Sequence, residues 1–271
     1  MIGQQVTLDL INKYNSSNFP RFSIIVGQRG SGKSEIINYI NENIIKAEII
    51  PVNTISDVRR IFVDAPAYSV YKLCVLSDFD SMNFRAKESI LKLCEDIPNN
   101  LYIMIETDSL SNIKSTLVSR ANVIQLQQYS DEELRQFCFT LDDLKDEELD
   151  YLIAAFKTPG DIIRAHNCGI IGLYSFCYNV INNIYNANLF NAMNIANKLK
   201  LKSDGDGFEL DLFFTVLLHC AKFYLPINDA LNFISITSKT LNTLSSIKTI
   251  NKLMLFDTWL CSVKGRGDTY E

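Results

Sequence analysis

The chain alternates between short, uniformly apolar segments and longer segments in which apolar residues recur at a helical period. The apolar segments are RFSIIV (21–26), AEIIPV (47–52), YKLCVL (71–76), LYIMIET (101–107) and ANVIQLQ (121–127). The helical pattern lies between them, at 34–46, from 56 to about 63, and at 84–96. Short apolar runs of this kind are typical of buried parallel strands. The alternation therefore predicts an α/β fold in which helices cover both faces of a parallel sheet.

The strand pattern stops after Gln128, and every later segment has a helical pattern. Ser130 is placed to cap a helix at the start of a small helical unit, which pauses at Pro159 and Gly160 and runs to about Cys168. The remainder is helical with breaks at 202–208 and near Pro226, and its aromatic residues follow the helical period of a core stripe. We therefore predict three parts: an α/β domain at 1–128, a small helical lid at 129–168, and an all-helical domain at 169–271.

Composition and charge exclude several classes of protein. No apolar run approaches the ~20 residues of a membrane helix, and the first ten residues lack a signal-peptide pattern, so we expect a cytoplasmic chain without membrane contact. A net charge of −5 argues against coating nucleic acid by bulk attraction. The seven cysteines are scattered singly, without the spacing of a zinc site or a disulfide framework, and predict buried thiols.

The segment GQRGSGKS (27–34) carries the clearest chemistry in the chain. Gly27, Gly30 and Gly32 allow a tight loop whose backbone N–H groups face phosphate oxygens, between a predicted strand and a predicted helix. In this pattern Lys33 reaches the outer phosphates and the Ser34 hydroxyl ligates Mg²⁺. The loop predicts binding of a nucleotide such as ATP together with Mg²⁺.

The residues after the strand at 71–76 do not decide whether this chain hydrolyses the nucleotide. Enzymes of this type place two acidic residues there, the first for Mg²⁺ and the second for the attacking water. Counted from the strand, Ser77 stands at the metal position and Asp78 at the base position. Asp78 can instead take the metal role, but Phe79 then stands at the base position. The site is altered in either register, so this chain is a possible ATPase whose hydrolysis is weak or occurs in partner subunits.

Four segments together resemble the AAA+ clamp-loader subunits of DNA replication, of the bacterial DNA polymerase III delta-prime or gamma type. They are IGQQVTLDLINKYN (2–15), the phosphate loop, the stretch from Thr54 to Pro98, and IKSTLVSRANVIQL (113–126). The resemblance covers residues 1 to about 168 and continues more weakly to the end. It implies an AAA+ ATP-binding domain, a helical lid, and a C-terminal collar that holds subunits in a ring.

The resemblance also implies roles for individual residues. Arg120, in a Ser-Arg-Ala sequence, would be an arginine finger that completes the nucleotide site of a neighbouring subunit. Thr107 would be the polar residue that senses the nucleotide at the end of its strand, with Asp108 as the alternative. The implied partners are other AAA+ subunits in a hetero-oligomer, a sliding clamp, and primed DNA through the assembled complex.

Three departures from the family pattern keep other functions open. Residues 47–71 contain no cysteine and so no zinc module, the acidic pair is altered, and Arg164 lies four positions after Gly160 instead of within the first turn. The absent zinc module and the small size are compatible with a phage or plasmid replication system. One alternative is an AAA+-type switch or scaffold that regulates a partner without loading a clamp. Another is an ATPase that forms a homo-oligomer.

Overall fold

The structure is a computed structural model, and its described residues are 3–52, 69–77, 79, 82, 84–186, 195, 198–199, 207–246 and 250–264. The chain divides into two compact units. The first consists of Met1–Phe137 and Thr158–Gly160, and the second of Cys138–Lys157 and Asp161–Glu271. The predicted boundaries near residues 128 and 168 stay predictions.

Five described strands of the first unit form a parallel sheet with the order β2-β3-β4-β1-β5. Their bounds are Phe22–Val26 (β1), Glu48–Pro51 (β2), Lys72–Leu76 (β3), Leu101–Thr107 (β4) and Asn122–Gln125 (β5). All five lie within the predicted apolar segments. Because β1 lies between β4 and β5, the carboxyl ends of β4 and β1 meet at the same edge of the sheet. The predicted α/β fold with a parallel sheet is confirmed.

Helices cover both faces of this sheet. Those of the first unit are Gln5–Ile11 (α1), Lys33–Ile40 (α2), Phe84–Glu95 (α3), Ser115–Val118 (α4) and Asp131–Cys138 (α5). Alternate residues of β4 divide between two buried clusters, since Tyr102 and Met104 pack with α2 while Ile103 and Ile105 pack with α3. The helix predicted from 56 to about 63 lies outside the described residues.

Helices of the second unit are Asp146–Ala155 (α6), the part of Pro159–Asn167 (α7) from Asp161 onward, Ile170–Asn186 (α8), Leu210–Tyr224 (α9), Ile227–Ser246 (α10) and Lys252–Lys264 (α11). Trp259 is buried among the rings of Phe213, Phe214 and Phe233, and its indole N–H donates to Thr237 Oγ1 at 3.0 Å. The prediction of a core stripe is therefore confirmed for these four residues, whereas Phe223 and Tyr224 are 71% and 55% exposed and lie outside the core. Within the described ranges, no helix combines the length and apolar character needed to cross a membrane.

Candidate nucleotide site

The loop between β1 and α2 is built on glycines in the left-handed backbone region. Gly30 has a φ of 75° and Gly32 a φ of 89°. Side-chain-bearing residues rarely adopt these angles, whereas glycine does so without steric cost. Gly32 also precedes the first residue of α2, so the loop ends at the positive end of a helix dipole. The loop therefore has the tight backbone conformation that its glycine spacing predicts.

Gly27 and Ser31 approach each other closely across the loop. A Cβ atom on Gly27 would lie 2.6 Å from Ser31 Oγ, so the position has no room for a side chain. The Ser31 hydroxyl is buried, and it has no hydrogen-bond partner among the described residues. An unsatisfied buried donor is costly, and a phosphate oxygen in the loop is a suitable acceptor for it. The residues present therefore fit a bound phosphate group.

The ammonium group of Lys33 is held over this loop by three acceptors. Nζ donates to the carbonyl oxygens of Gly27 at 2.6 Å and Gln28 at 3.1 Å, and to Asp108 Oδ1 at 2.6 Å. The Lys33 side chain is 11% exposed and that of Asp108 is 58% exposed. The cation therefore lies at the mouth of the loop, next to a solvated carboxylate that an incoming anion can replace.

Ser34, the predicted metal ligand in the loop, donates from Oγ to Glu106 Oε1 at 3.0 Å. Glu106 lies near the carboxyl end of β4 and is 6% exposed. The motifs of the sequence do not include this residue. A charged side chain in the otherwise apolar run LYIMIET was the signal that pointed to it.

The two residues predicted to sense the nucleotide differ in their contacts. The Thr107 hydroxyl donates to the Ser109 carbonyl oxygen at 2.9 Å and accepts from the Ser109 N–H at 3.3 Å. It therefore helps to shape the turn after β4, at a buried position. Asp108 is the residue whose side chain reaches Lys33. Both stay predictions as sensors. Thr107 contacts the loop through its carbonyl oxygen, which accepts from the Gly27 N–H at 3.2 Å, and Asp108 contacts it through its side chain.

The altered acidic pair lies at the end of β3. Ser77 follows β3 directly and is exposed, and the Phe79 side chain is buried. Asp78 lies outside the described residues. Its predicted role at Mg²⁺ therefore stays a prediction.

Arg120 follows the short helix α4 at an exposed position. Its Nη1 donates to the carbonyl oxygen of Thr116 at 2.7 Å, four residues earlier. A guanidinium group held near the surface in this way is accessible to another chain. Its role as a finger for a neighbouring subunit stays a prediction.

Gly160 and Tyr129 each donate a hydrogen bond to a carbonyl group of the loop. Neither contact is evident from the sequence. The Gly160 N–H donates to the Gly30 carbonyl oxygen at 2.9 Å, and a Cβ on Gly160 would lie 2.6 Å from Gly30 Cα. The Tyr129 hydroxyl donates to the Ser31 carbonyl oxygen at 2.9 Å. Burial raises the pKa of Tyr129, which keeps the phenol a donor at neutral pH. Both contacts bind carbonyl groups of the loop and use none of its N–H groups.

Arg164 takes part in an ion cluster within the second unit. Its guanidinium group pairs with Asp161 at 3.0 Å, with Asp211 at 2.6 Å, and with Glu209. Burial lowers the pKa of Arg164, but hydrogen bonds to Glu209 and Asp211 outweigh this effect and raise it overall. These carboxylates give Arg164 a structural role inside its own unit.

The parallel sheet and the glycine loop between β1 and α2 define a P-loop protein with the AAA+ fold. Residues 12–130 match the family model described as DNA polymerase III, delta subunit. Over these residues the chain is similar to that family, which agrees with the resemblance seen in the sequence.

Solved structures with the same fold cover nearly the whole chain. A DNA polymerase III gamma subunit-related protein from Thermotoga maritima is 15% identical, with a TM-score of 0.57, over 97% of this chain and 99% of the other. A point mutant of RuvB from the same organism is 16% identical, with a TM-score of 0.54, over 94% of this chain and 88% of the other. At these identities the likeness shows the fold alone. No curated protein matches the chain.

Proposed function

We propose that this chain is the nucleotide-binding subunit of a clamp loader. It binds ATP with Mg²⁺ at Gly27–Ser34 and acts in a multi-subunit ring that loads a sliding clamp onto primed DNA. The observation that carries the nucleotide part is the loop itself, with Gly30 and Gly32 at positive φ, a buried Ser31 hydroxyl without a partner among the described residues, and Lys33 at its mouth. The match of residues 12–130 to the DNA polymerase III delta-subunit family supports the loader part.

Different groups of the loop contact different parts of the nucleotide. Backbone N–H groups and the helix dipole of α2 attract the phosphates. On binding, Lys33 would exchange Asp108 for a phosphate, and Ser34 and Asp78 would hold Mg²⁺. When bound there, Mg²⁺ would neutralise part of the phosphate charge.

The chain's own contribution is binding, and hydrolysis takes place in the assembled ring. Ser77 brings no charge to the position where a metal-side carboxylate is expected, so an isolated chain turns nucleotide over weakly. Arg120 contributes to the site of the next subunit. Differential affinity of ATP for two ring conformations then shifts the ring toward the state that opens the clamp.

Capture of the tagged protein from its native host, followed by native mass spectrometry, tests the loader role. We expect a ring-sized complex that contains a second AAA+ protein and a sliding clamp. Recovery of the chain alone, or with an unrelated partner, would contradict the proposal. That result would instead favour an AAA+-type switch that regulates a partner without loading a clamp.

A further inference from the structure

The residue of β4 that comes nearest to the phosphate loop on the α2 face is a glutamate. Tyr102 and Met104 of β4 pack in the same buried cluster as Ile36 of α2. Side chains alternate across a strand, so Glu106 continues the row of Tyr102 and Met104 toward the start of α2. This position places the Glu106 carboxylate beside the first turn of α2, which directly follows the phosphate loop.

Glu106 lies next to the hydroxyl group that the loop supplies for a metal. Ser34 Oγ donates to Glu106 Oε1 at 3.0 Å, and the glutamate is 6% exposed. Burial of a carboxylate costs several kcal/mol unless charge or hydrogen bonds compensate it. A buried carboxylate at the end of a strand, beside a hydroxyl group that can ligate a metal, is a candidate ligand for Mg²⁺, which prefers oxygen ligands.

Glu106 is also the cross-strand neighbour of the position where a metal-side carboxylate is expected. The parallel pairing of β3 with β4 ends at Leu76 and Ile105. Ser77 and Glu106 each follow that pair by one residue. Since β4 lies between β3 and β1, the glutamate is one strand nearer to the loop than Ser77. The charge missing from Ser77 is thus present on the adjacent strand.

We propose that Glu106 provides a second metal-side carboxylate of the nucleotide site, beside Asp78, in place of the one that Ser77 lacks. The inference rests on the proposed binding of a nucleotide with Mg²⁺. Mg²⁺ takes oxygen ligands and is usually bound through one or two carboxylates together with phosphate groups and water. Glu106 and Ser34 offer a carboxylate and a hydroxyl side by side before any ligand enters.

The test compares the affinity for a fluorescent ATP analogue in MgCl₂ and in EDTA. In the unaltered protein we expect Mg²⁺ to tighten binding. In Glu106→Gln that enhancement falls by about 10-fold or more, which is the usual effect of losing a partner at a metal site. The affinity in EDTA is retained, because the amide still accepts from Ser34. A Glu106→Gln protein that keeps the full Mg²⁺ enhancement would overturn the inference, as would an equal loss in Mg²⁺ and EDTA.

Two further variants separate loss of the carboxylate from disturbance of the loop. Glu42→Gln makes the same charge change at an exposed site beyond the far end of α2, and its Mg²⁺ enhancement stays at the unaltered value. Adding Ser77→Asp to Glu106→Gln returns a carboxylate to the neighbouring strand and restores the enhancement. A double variant that folds and binds the analogue in EDTA, yet gains nothing from Mg²⁺, would contradict the proposed role.

The same measurements distinguish this inference from the proposed function. Failure of the unaltered protein to bind the analogue under either condition would refute the nucleotide site as a whole. Normal Mg²⁺ enhancement in Glu106→Gln, with loss in Asp78→Asn, would refute the role of Glu106 alone and leave nucleotide binding standing.

Discussion

Lys33 is the residue on which the proposed nucleotide site depends most directly. Lys33→Ala removes the cation that Gly27, Gln28 and Asp108 hold over the loop. We expect the affinity for an ATP analogue to fall by ~30-fold or more, since loss of one partner of a desolvated charge pair costs roughly 2 kcal/mol or more. Fluorescence titration measures the change, with the exposed Lys13→Ala as the control. Unchanged binding by a folded Lys33→Ala protein would show that the loop is not the site.

The cysteines predict a graded reactivity toward alkylating agents. Burial raises the pKa of Cys94 to about 12, and of Cys168 and Cys220 to about 11, whereas Cys261 is exposed. The thiolate is the reactive form, so a thiol with a raised pKa is protonated and unreactive near pH 8. We expect iodoacetamide to modify Cys261 first in the native protein, as followed by mass spectrometry of peptides.

A urea-unfolded sample provides the control for this prediction, because all seven cysteines should then react at similar rates. Early modification of Cys94 in the native protein would mean that the α3 helix is not packed against the sheet as described.

The buried thiols that the singly spaced cysteines predicted are present at five positions: Cys74, Cys94, Cys138, Cys177 and Cys220.

At the scale of elements, the start of α7 is tied to the phosphate loop by backbone contacts. Gly160→Ala would place a Cβ 2.6 Å from Gly30 Cα, where no flexible side chain can move aside. We expect a loss of about 1–3 kcal/mol of stability, as for other insertions into packed sites. Thermal unfolding followed by circular dichroism measures the change.

Gly172→Ala is the matched control for that substitution. Its added Cβ meets nothing closer than Phe208 Cζ at 3.8 Å, within helix α8. Alanine is favoured over glycine in a helix by up to about 1 kcal/mol, so this variant should be neutral or more stable. Equal effects of the two substitutions would argue against the Gly30 contact.

The strands were predictable from sequence because burial on both faces leaves continuous apolar runs, as in β1 and β4. The loop was predictable because its function restricts the residue types at fixed spacing. The contact of Gly160 with Gly30 was not, since it joins positions 130 residues apart through backbone atoms that carry no side-chain signal. Glu106 was missed for a related reason, because the register of β4 against β3 is needed to show that it lies beside Ser77.

At the scale of the whole molecule, Arg120 is the residue that we propose reaches the nucleotide site of a neighbouring subunit. In the assembled complex, Arg120→Ala should lower ATP hydrolysis at the neighbouring site by on the order of 10³-fold, because a finger arginine stabilises charge in the transition state. Nucleotide affinity of the isolated chain should not change, because the Arg120 side chain is exposed and bonds only to the Thr116 carbonyl oxygen within the described contacts. Phosphate release by the complex measures the first effect.

The control is Arg85→Ala, which removes an exposed arginine at the start of α3 and should leave hydrolysis unchanged. If Arg120→Ala weakened nucleotide binding by the isolated chain, the residue would act on its own site instead of a neighbour's. Unaltered hydrolysis by a complex that contains Arg120→Ala would contradict the role of Arg120 as a finger.

The hydrogen bond from Gly160 to Gly30 makes one amide proton a reporter of what the phosphate loop holds. Amide protons exchange with solvent when their hydrogen bonds open, at rates set by local stability. A ligand that fastens the Gly30 peptide slows exchange at Gly160, and one that turns the peptide accelerates it. Deuterium uptake at this single glycine therefore distinguishes an empty loop from a filled one without a label on the nucleotide.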